Sequence, residues 1–221
     1  NTPQEAVAKW RHVRIDEVDL QLYGWACWKT YVGRPETDQL RCLAMGQLAG
    51  GLFAAKKYED ALPVQEADLS LSRRHGEQER SILVVQGNLA GTYYALGRMQ
   101  DALRLRRDVY SGNLRVVGEE DRETFSAGIN YATSLKGLQR FEEAKSLLRK
   151  QIPVARRKLG ESHDLMFSMR SIYAKVLYQD PAATHDDLRE AVTTLEEVEP
   201  IARRVLGGAH PLAVGIEETL Q

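Results

Sequence analysis

The strongest constraint on this sequence is an internal repeat of roughly 42 residues. A small residue of the first helix recurs at Ala49, Ala90, Ala132 and Ala174, and one of the second helix at Ala61, Ala102, Ala144 and Ala191. Only in the second series is the last interval longer, because the polar segment QDPAATHDD is inserted between the two helices of the fourth unit. A period of this length predicts a solenoid, since a single unit cannot bury its apolar face and neighbouring units must stack.

A glycine closes each unit, at positions 76, 118, 160 and 207. Each follows an apolar-periodic helix, where glycine can take the left-handed conformation that satisfies the last carbonyl groups. Ser162 and Thr184 are predicted N-caps. Pro211 stands where a further helix begins, a position that tolerates its missing N–H.

Apolar spacing inside the units is helical, and alternating strand patterns are scarce. The sequence therefore predicts an all-α protein. The repeat array is expected over 37–221, with units at about 38–78, 79–121, 122–163 and 164–210 and a final single helix over 211–221. Residues 1–36 are expected to form N-terminal capping helices. Because this stretch carries Trp10, Trp25 and Trp28, a docking surface is the alternative.

Several motifs resemble the kinesin-light-chain type of tetratricopeptide repeat (TPR) array, whose units have 42 residues. They are YEDALPVQEADLSLSRR (58–74), NLAGTYYALGRMQDALRL (88–105), LGESHD (159–164) and LGGAHP (206–211). The segment RFEEAKSLLRKQIPVARRKLGESH (140–163) is also similar to stand-alone TPR proteins of algae and other unicellular eukaryotes. The resemblance implies a right-handed superhelical solenoid of helix-turn-helix repeats that binds a protein or peptide.

No pattern of catalytic or metal-binding residues emerges from the sequence. Gly46, Gly50 and Gly51 lie inside a helical pattern, without the strand or Gly-Lys-Ser/Thr ending of a phosphate loop. The chain has two cysteines and no CxxC pair, and no two histidines have zincin spacing. We therefore expect no enzyme activity, catalytic residue, metal or cofactor. An active site that only the fold assembles is the alternative.

The charge balance disfavours nucleic acid as a partner, because 30 Lys and Arg residues face 31 Asp and Glu residues. No apolar run approaches the roughly 20 residues that span a bilayer, so membrane insertion is not expected. Cytoplasmic localisation is predicted, with an organelle lumen as the alternative if a targeting segment was removed. Pairs of arginines recur late in the second helices, at 73–74, 156–157 and 203–204. They are expected to offset the helix dipoles, and a stripe for acidic ligands is the alternative.

The resemblance implies that the first helix of each unit lines a concave face. The predicted partner-binding residues there are Gln47, Phe53, Asn88, Tyr94, Asn130, Lys136, Lys175 and Tyr178. The same register assigns Ile129 and Ser171 to this face. In the family, an asparagine at the position of Asn88 and Asn130 commonly binds a peptide backbone, and a carboxamide can both donate and accept. Hydrogen bonding to a neighbouring helix is the alternative.

These features favour a non-catalytic protein-protein interaction module or scaffold that binds a partner segment on its concave face. One alternative is a permanent structural or assembly subunit of a larger complex, docked through its ends and convex face. The apolar side of the final helix favours that alternative, because an exposed apolar side is expected to pack against another protein. The sensor arm of a switch protein is a third interpretation.

Overall fold

All regular structure in residues 17–35 and 38–220, the part of the chain that the computed structural model describes, is helical. The ten helices are α1 (Glu17–Tyr31), α2 (Gln39–Ala54), α3 (Tyr58–Arg74), α4 (Glu79–Ala95), α5 (Met99–Val116), α6 (Arg122–Gly137), α7 (Phe141–Leu159), α8 (Asp164–Gln179), α9 (His185–Leu206) and α10 (Pro211–Leu220). The predicted all-α class is confirmed. The first helices begin at 39, 79, 122 and 164, which is compatible with the expected period. The helix predicted near Trp10 lies outside the described residues.

The chain divides into two compact units, residues 1–96 and 97–221. In the first unit α1 packs on α2, α2 on α3, and α4 on both α2 and α3. In the second unit each helix from α5 to α10 packs on the next, while α8 also contacts α6 and α10. The division falls inside the predicted repeat 79–121, so the four-repeat domain scheme stays a prediction.

The recurring alanines are buried at the positions that the repeat predicts. Six are fully buried, at positions 61, 90, 102, 132, 144 and 174, and Ala49 and Ala191 are nearly so. Because an alanine side chain is a single methyl group, helix backbones can approach closely at these points. The core of the second unit centres on α8, where Met166, Phe167 and Leu177 are at most 1% exposed.

The closing glycines all have positive φ, as predicted, between 63° and 90°. At Gly160 and Gly207, however, ψ is 164° and 149°, so the backbone is extended and not left-handed helical. This region is essentially restricted to glycine. The N–H of Gly160 still donates to the carbonyl of Arg156. Glycine is therefore required at these helix ends, but in a different conformation from the one expected.

One of the two predicted N-caps is correct. Thr184 caps α9 through a capping box with Asp187, in which each side chain accepts a backbone N–H of the other residue. The prediction of Ser162 as an N-cap was wrong. His163 caps α8, and its Nδ1 atom accepts the N–H of Leu165 at 3.1 Å. His210, at the equivalent position, accepts the N–H of Leu212 at 3.2 Å. The two recurring histidines thus have a structural role.

A half-buried aspartate makes the stability of the first unit depend on pH. Burial, and then the charge of Glu77, raises the pKa of Asp68 to about 6. In an unfolded chain this pKa is about 4, so stability should fall as pH rises from about 4 to about 6. We expect Asp68→Asn to raise the melting temperature at pH 7.5 and to flatten the change between pH 5 and pH 7.5. The exposed Asp60→Asn is the control, and an Asp68→Asn variant with wild-type pH dependence would contradict the assignment.

Candidate functional site

In the first unit, helix α2 separates a core face from an exposed face. Leu48 and Leu52 are buried, which turns Gln47 and Gly50 outward by the helical period. Phe53 lies at the end of the exposed face, where 37% of its surface is accessible. The ring of Tyr58 supports it edge-on, at a centroid distance of 5.3 Å.

Helix α4 presents a comparable face next to that of α2. Asn88 is exposed and Tyr94 is half-buried. Leu89 and Ala90, which lie between them in the sequence, are buried in the core. A Cβ atom built on Gly91 would lie 3.7 Å from the ring of Phe53, so the two helices meet there. Cβ atoms built on Gly50 and Gly87 would meet no atom within 4 Å. The glycines thus leave open space around Gln47 and Asn88.

The carboxamides of Asn88 and Asn130 make no hydrogen bond within the part of the chain that the structure describes. Other side chains donate to the backbone carbonyls of these two residues. Thr92 Oγ1 donates to the carbonyl of Asn88 at 3.5 Å, and Arg106 Nη1 donates to that of Asn130 at 3.0 Å. Both side chains are exposed. The alternative in which these asparagines hold a neighbouring helix therefore has no support in the geometry.

In the second unit, the C-terminal ends of α6 and α8 bring the predicted lysines together. Lys136 Nζ donates to Gln179 Oε1 at 3.1 Å, and Gln179 Nε2 donates to Tyr178 Oη at 3.3 Å. Burial, and then repulsion by the charge of Lys175, lowers the pKa of Lys136. The charge of Lys175 therefore disfavours the charged form of Lys136. Asn130 lies almost two turns earlier on α6.

We call the exposed and half-buried residues on the solvent side of α2, α4, α6 and α8 the first-helix faces. In the first unit they include Gln47, Phe53, Asn88 and Tyr94, and in the second Asn130, Lys136, Lys175 and Tyr178. The register was wrong at two positions, because Ile129 is 8% and Ser171 4% exposed. Ile129 belongs to the apolar core of the second unit, since α6 contacts α5, α7 and α8.

One arginine in each of two recurring pairs is engaged in ion pairs with glutamates. Arg156 Nε lies 2.5 Å from Glu161, and Arg203 pairs with Glu199 and Glu217 at 2.6 and 2.8 Å. Within residues 17–35 and 38–220, no three His, Cys, Asp or Glu side chains are placed to hold a metal ion. None of the described helices is both long enough and apolar enough to cross a bilayer.

A cavity between α1, α2 and α3 was not predicted. It lies beside Trp25 and Trp28, and the only sequence signal for it was the concentration of tryptophans in this stretch. Its remaining walls come from residues far apart in the sequence.

Comparisons with known proteins agree with this geometry. Residues 83–123 match the tetratricopeptide repeat family. The fold is similar to a Podospora anserina protein described as a kinesin light chain with nearly identical TPR-like repeats, with 21% identity, a TM-score of 0.68, and coverage of 92% of this chain and 88% of that chain. BtubC (BKLC) from P. vanneervenii has 16% identity, a TM-score of 0.71, and coverage of 100% and 82%.

The apo form of RapI is also similar, with 12% identity, a TM-score of 0.60, and coverage of 98% of this chain and 85% of that chain. No curated protein sequence matches the chain. At these identities the structural similarity concerns the fold, and it confirms the predicted resemblance at that level.

Proposed function

Since the chain has the tetratricopeptide repeat fold of the kinesin-light-chain type, we propose that it is a non-catalytic interaction module that binds a segment of a partner protein. Each unit presents its own first-helix face to such a segment. One observation carries this proposal: Asn88 and Asn130 occupy equivalent repeat positions, are exposed, and have carboxamides that bond to nothing in the described chain.

A carboxamide suits a peptide backbone because it can donate to a carbonyl and accept from an N–H at the same time. In the first unit, the space over Gly50 and Gly87 admits a partner's backbone close to Asn88. Phe53, partly exposed beside Gly91, supplies apolar contact for a partner side chain. The first unit is thus suited to a largely neutral segment.

The second unit favours an acidic group on the partner. The charge of Lys175 disfavours the charged form of Lys136, and a carboxylate placed near both would offset that repulsion. Tyr178, which is 38% exposed, adds apolar surface beside them. Because the lysines remain partly exposed, the gain is modest, about 0.5–1 kcal/mol each.

The proposal is tested by filling the open space. The variants Gly87→Phe and Gly50→Phe should fold, because nothing lies within 4 Å of either added Cβ. Affinity capture from the native organism, followed by mass spectrometry, should recover partners with the wild type and lose them with both variants. Arg107→Phe, at an exposed position of α5, is the control. Identical partner sets for all proteins would contradict the proposal.

A permanent assembly subunit is the second candidate, and the outer face of α9 favours it. Val192 is 49% exposed, whereas the equivalent Leu103 and Lys145 are 7% and 8% exposed. The final helix gives less support than expected, because its Ala213 and Ile216 are already buried. Sedimentation velocity separates the two functions: a binding module should be a clean monomer, and an assembly subunit should associate unless Val192 is replaced by Ser.

A further inference from the structure

Helices α1, α2 and α3 line a cavity of about 520 Å³ that is open to solvent, within the first unit. Among the described residues, its walls are mostly apolar and include two arginines and no acidic side chain. The lining residues are Trp25, Trp28, Arg41, Met45, Leu48, Pro63, Val64, Ala67, Ser70, Leu71 and Arg74. The volume lies in the range of ligand-binding pockets in proteins.

The apolar surface continues beyond the cavity along α1. Leu22 is 62% and Trp25 42% exposed, and their spacing of three residues places them on one side of the helix. Exposed apolar surface beside an apolar cavity is typical of interaction sites in proteins. An occupant that covers this stripe and also enters the cavity must be longer than a small molecule. A polypeptide segment meets that requirement.

The charge of the cavity defines what the segment must carry. The Arg41 guanidinium lies 5.9 Å from the centre of the Trp28 ring, and its Nη1 donates to the carbonyl of Arg34 at 2.7 Å. Its Nε is buried and has no hydrogen-bond partner in the described chain. The guanidinium as a whole lines the cavity, and a carboxylate is the acceptor that a guanidinium prefers. Arg74 adds a second guanidinium to the lining.

This surface is separate from the first-helix face of the same unit. Arg41, Met45 and Leu48 lie on one side of α2, and the helical period places Gln47 and Gly50 on the opposite side. A segment in the cavity therefore does not compete for the residues of the proposed function, and either site can exist without the other.

We propose that the cavity between α1, α2 and α3 is a second docking site, for a protein segment that inserts a large apolar side chain and sets an adjacent carboxylate against Arg41. The apolar side chain packs between Trp28 and Leu48. The carboxylate pairs with the guanidinium group of Arg41, and Trp25 covers the segment at the rim.

The test is selection from a displayed library of random peptides on the full chain. We expect the selected peptides to pair a large apolar residue with a neighbouring Asp or Glu. Synthetic versions should bind Arg41→Met and Trp25→Ala about tenfold more weakly or worse, measured by fluorescence anisotropy. Arg73→Met removes an exposed arginine one residue from Arg74 and should bind as the wild type does. Circular dichroism melts establish that each variant is folded. If one is not, Leu22→Ser, which changes an exposed residue of the same apolar surface, takes its place.

A second comparison isolates the carboxylate. Replacing the acidic residue of a selected peptide by its amide should weaken binding to the wild type and leave binding to Arg41→Met unchanged. Selection of no peptides, or of peptides that lack an acid and ignore Arg41, would overturn the proposal. So would full displacement by octanoate at an equal concentration, which would identify a small apolar carboxylate as the occupant. Peptides that depend on Asn88 and not on Arg41 would overturn it while supporting the proposed function.

Discussion

Replacing Gly24 by alanine should destabilise the first unit by about 3 kcal/mol, the upper end for an added methyl group in a well-packed site. A Cβ atom at this position would lie 2.8 Å from both the carbonyl oxygen of Gln47 and the Cα of Leu48. Both contacts are backbone atoms of α2, so no side chain can rotate away. Helix α1 would have to move off α2, and close-packed interiors resist such shifts.

Chemical denaturation of the full chain measures this effect. Gly50→Ala is the matched control, since a helical glycine with open space around it should gain about 0.5–1 kcal/mol when replaced by alanine. The two variants should therefore change stability in opposite directions. Equal effects would show that α1 does not pack on α2 through Gly24.

Replacing Asn88 and Asn130 together by alanine should weaken binding of a captured partner by about 2–4 kcal/mol if each carboxamide bonds the partner's backbone. The cost arises because the partner's amide groups lose their hydrogen bonds while they stay in contact with the protein. Stability of the free chain should change by less than about 0.5 kcal/mol, since neither carboxamide has a bond to lose in the described structure.

Titration calorimetry and thermal melts of the same variants check both statements. Gln100→Ala removes an exposed carboxamide from α5 and should alter neither quantity. A lower melting temperature with unchanged affinity would show that the asparagines are structural. Single replacements assign the effect to each unit separately.

The features that the sequence could predict are those set by local geometry and repeated in every unit. The alanines at helix crossings recur because only a small side chain fits there, so their burial follows from their spacing. The positions of the helix ends follow from glycine, although Gly160 and Gly207 have an extended backbone with positive φ and not the left-handed helical one expected.

Predictions were wrong where two neighbouring residues compete for one role. Ser162 and His163 both precede α8, and the histidine caps it because its ring nitrogen reaches the N–H of Leu165. Hydroxyl-bearing residues are the common caps, so propensity favoured the serine. A second error has a different cause. The repeat register placed Ile129 on the exposed face, but Ile129 packs into the core of the second unit.

Contacts between residues far apart in the chain could not be predicted from the sequence. Lys136 and Gln179 are joined by a hydrogen bond only because α6 and α8 pack with a particular offset. The cavity in the first unit needs walls from three helices, and its unsatisfied Arg41 Nε appears only when all three are in place. Such features depend on helix packing angles, which periodicity does not determine.

The most direct test of the proposed function is photo-crosslinking from defined positions. Benzoylphenylalanine placed at Gln47 or Asn88 should form covalent links to a captured partner, because both positions are exposed on the first-helix face of the first unit. The same group at the exposed Arg107 of α5 should form none. Links from position 107 without links from positions 47 and 88 would contradict binding along the first-helix faces.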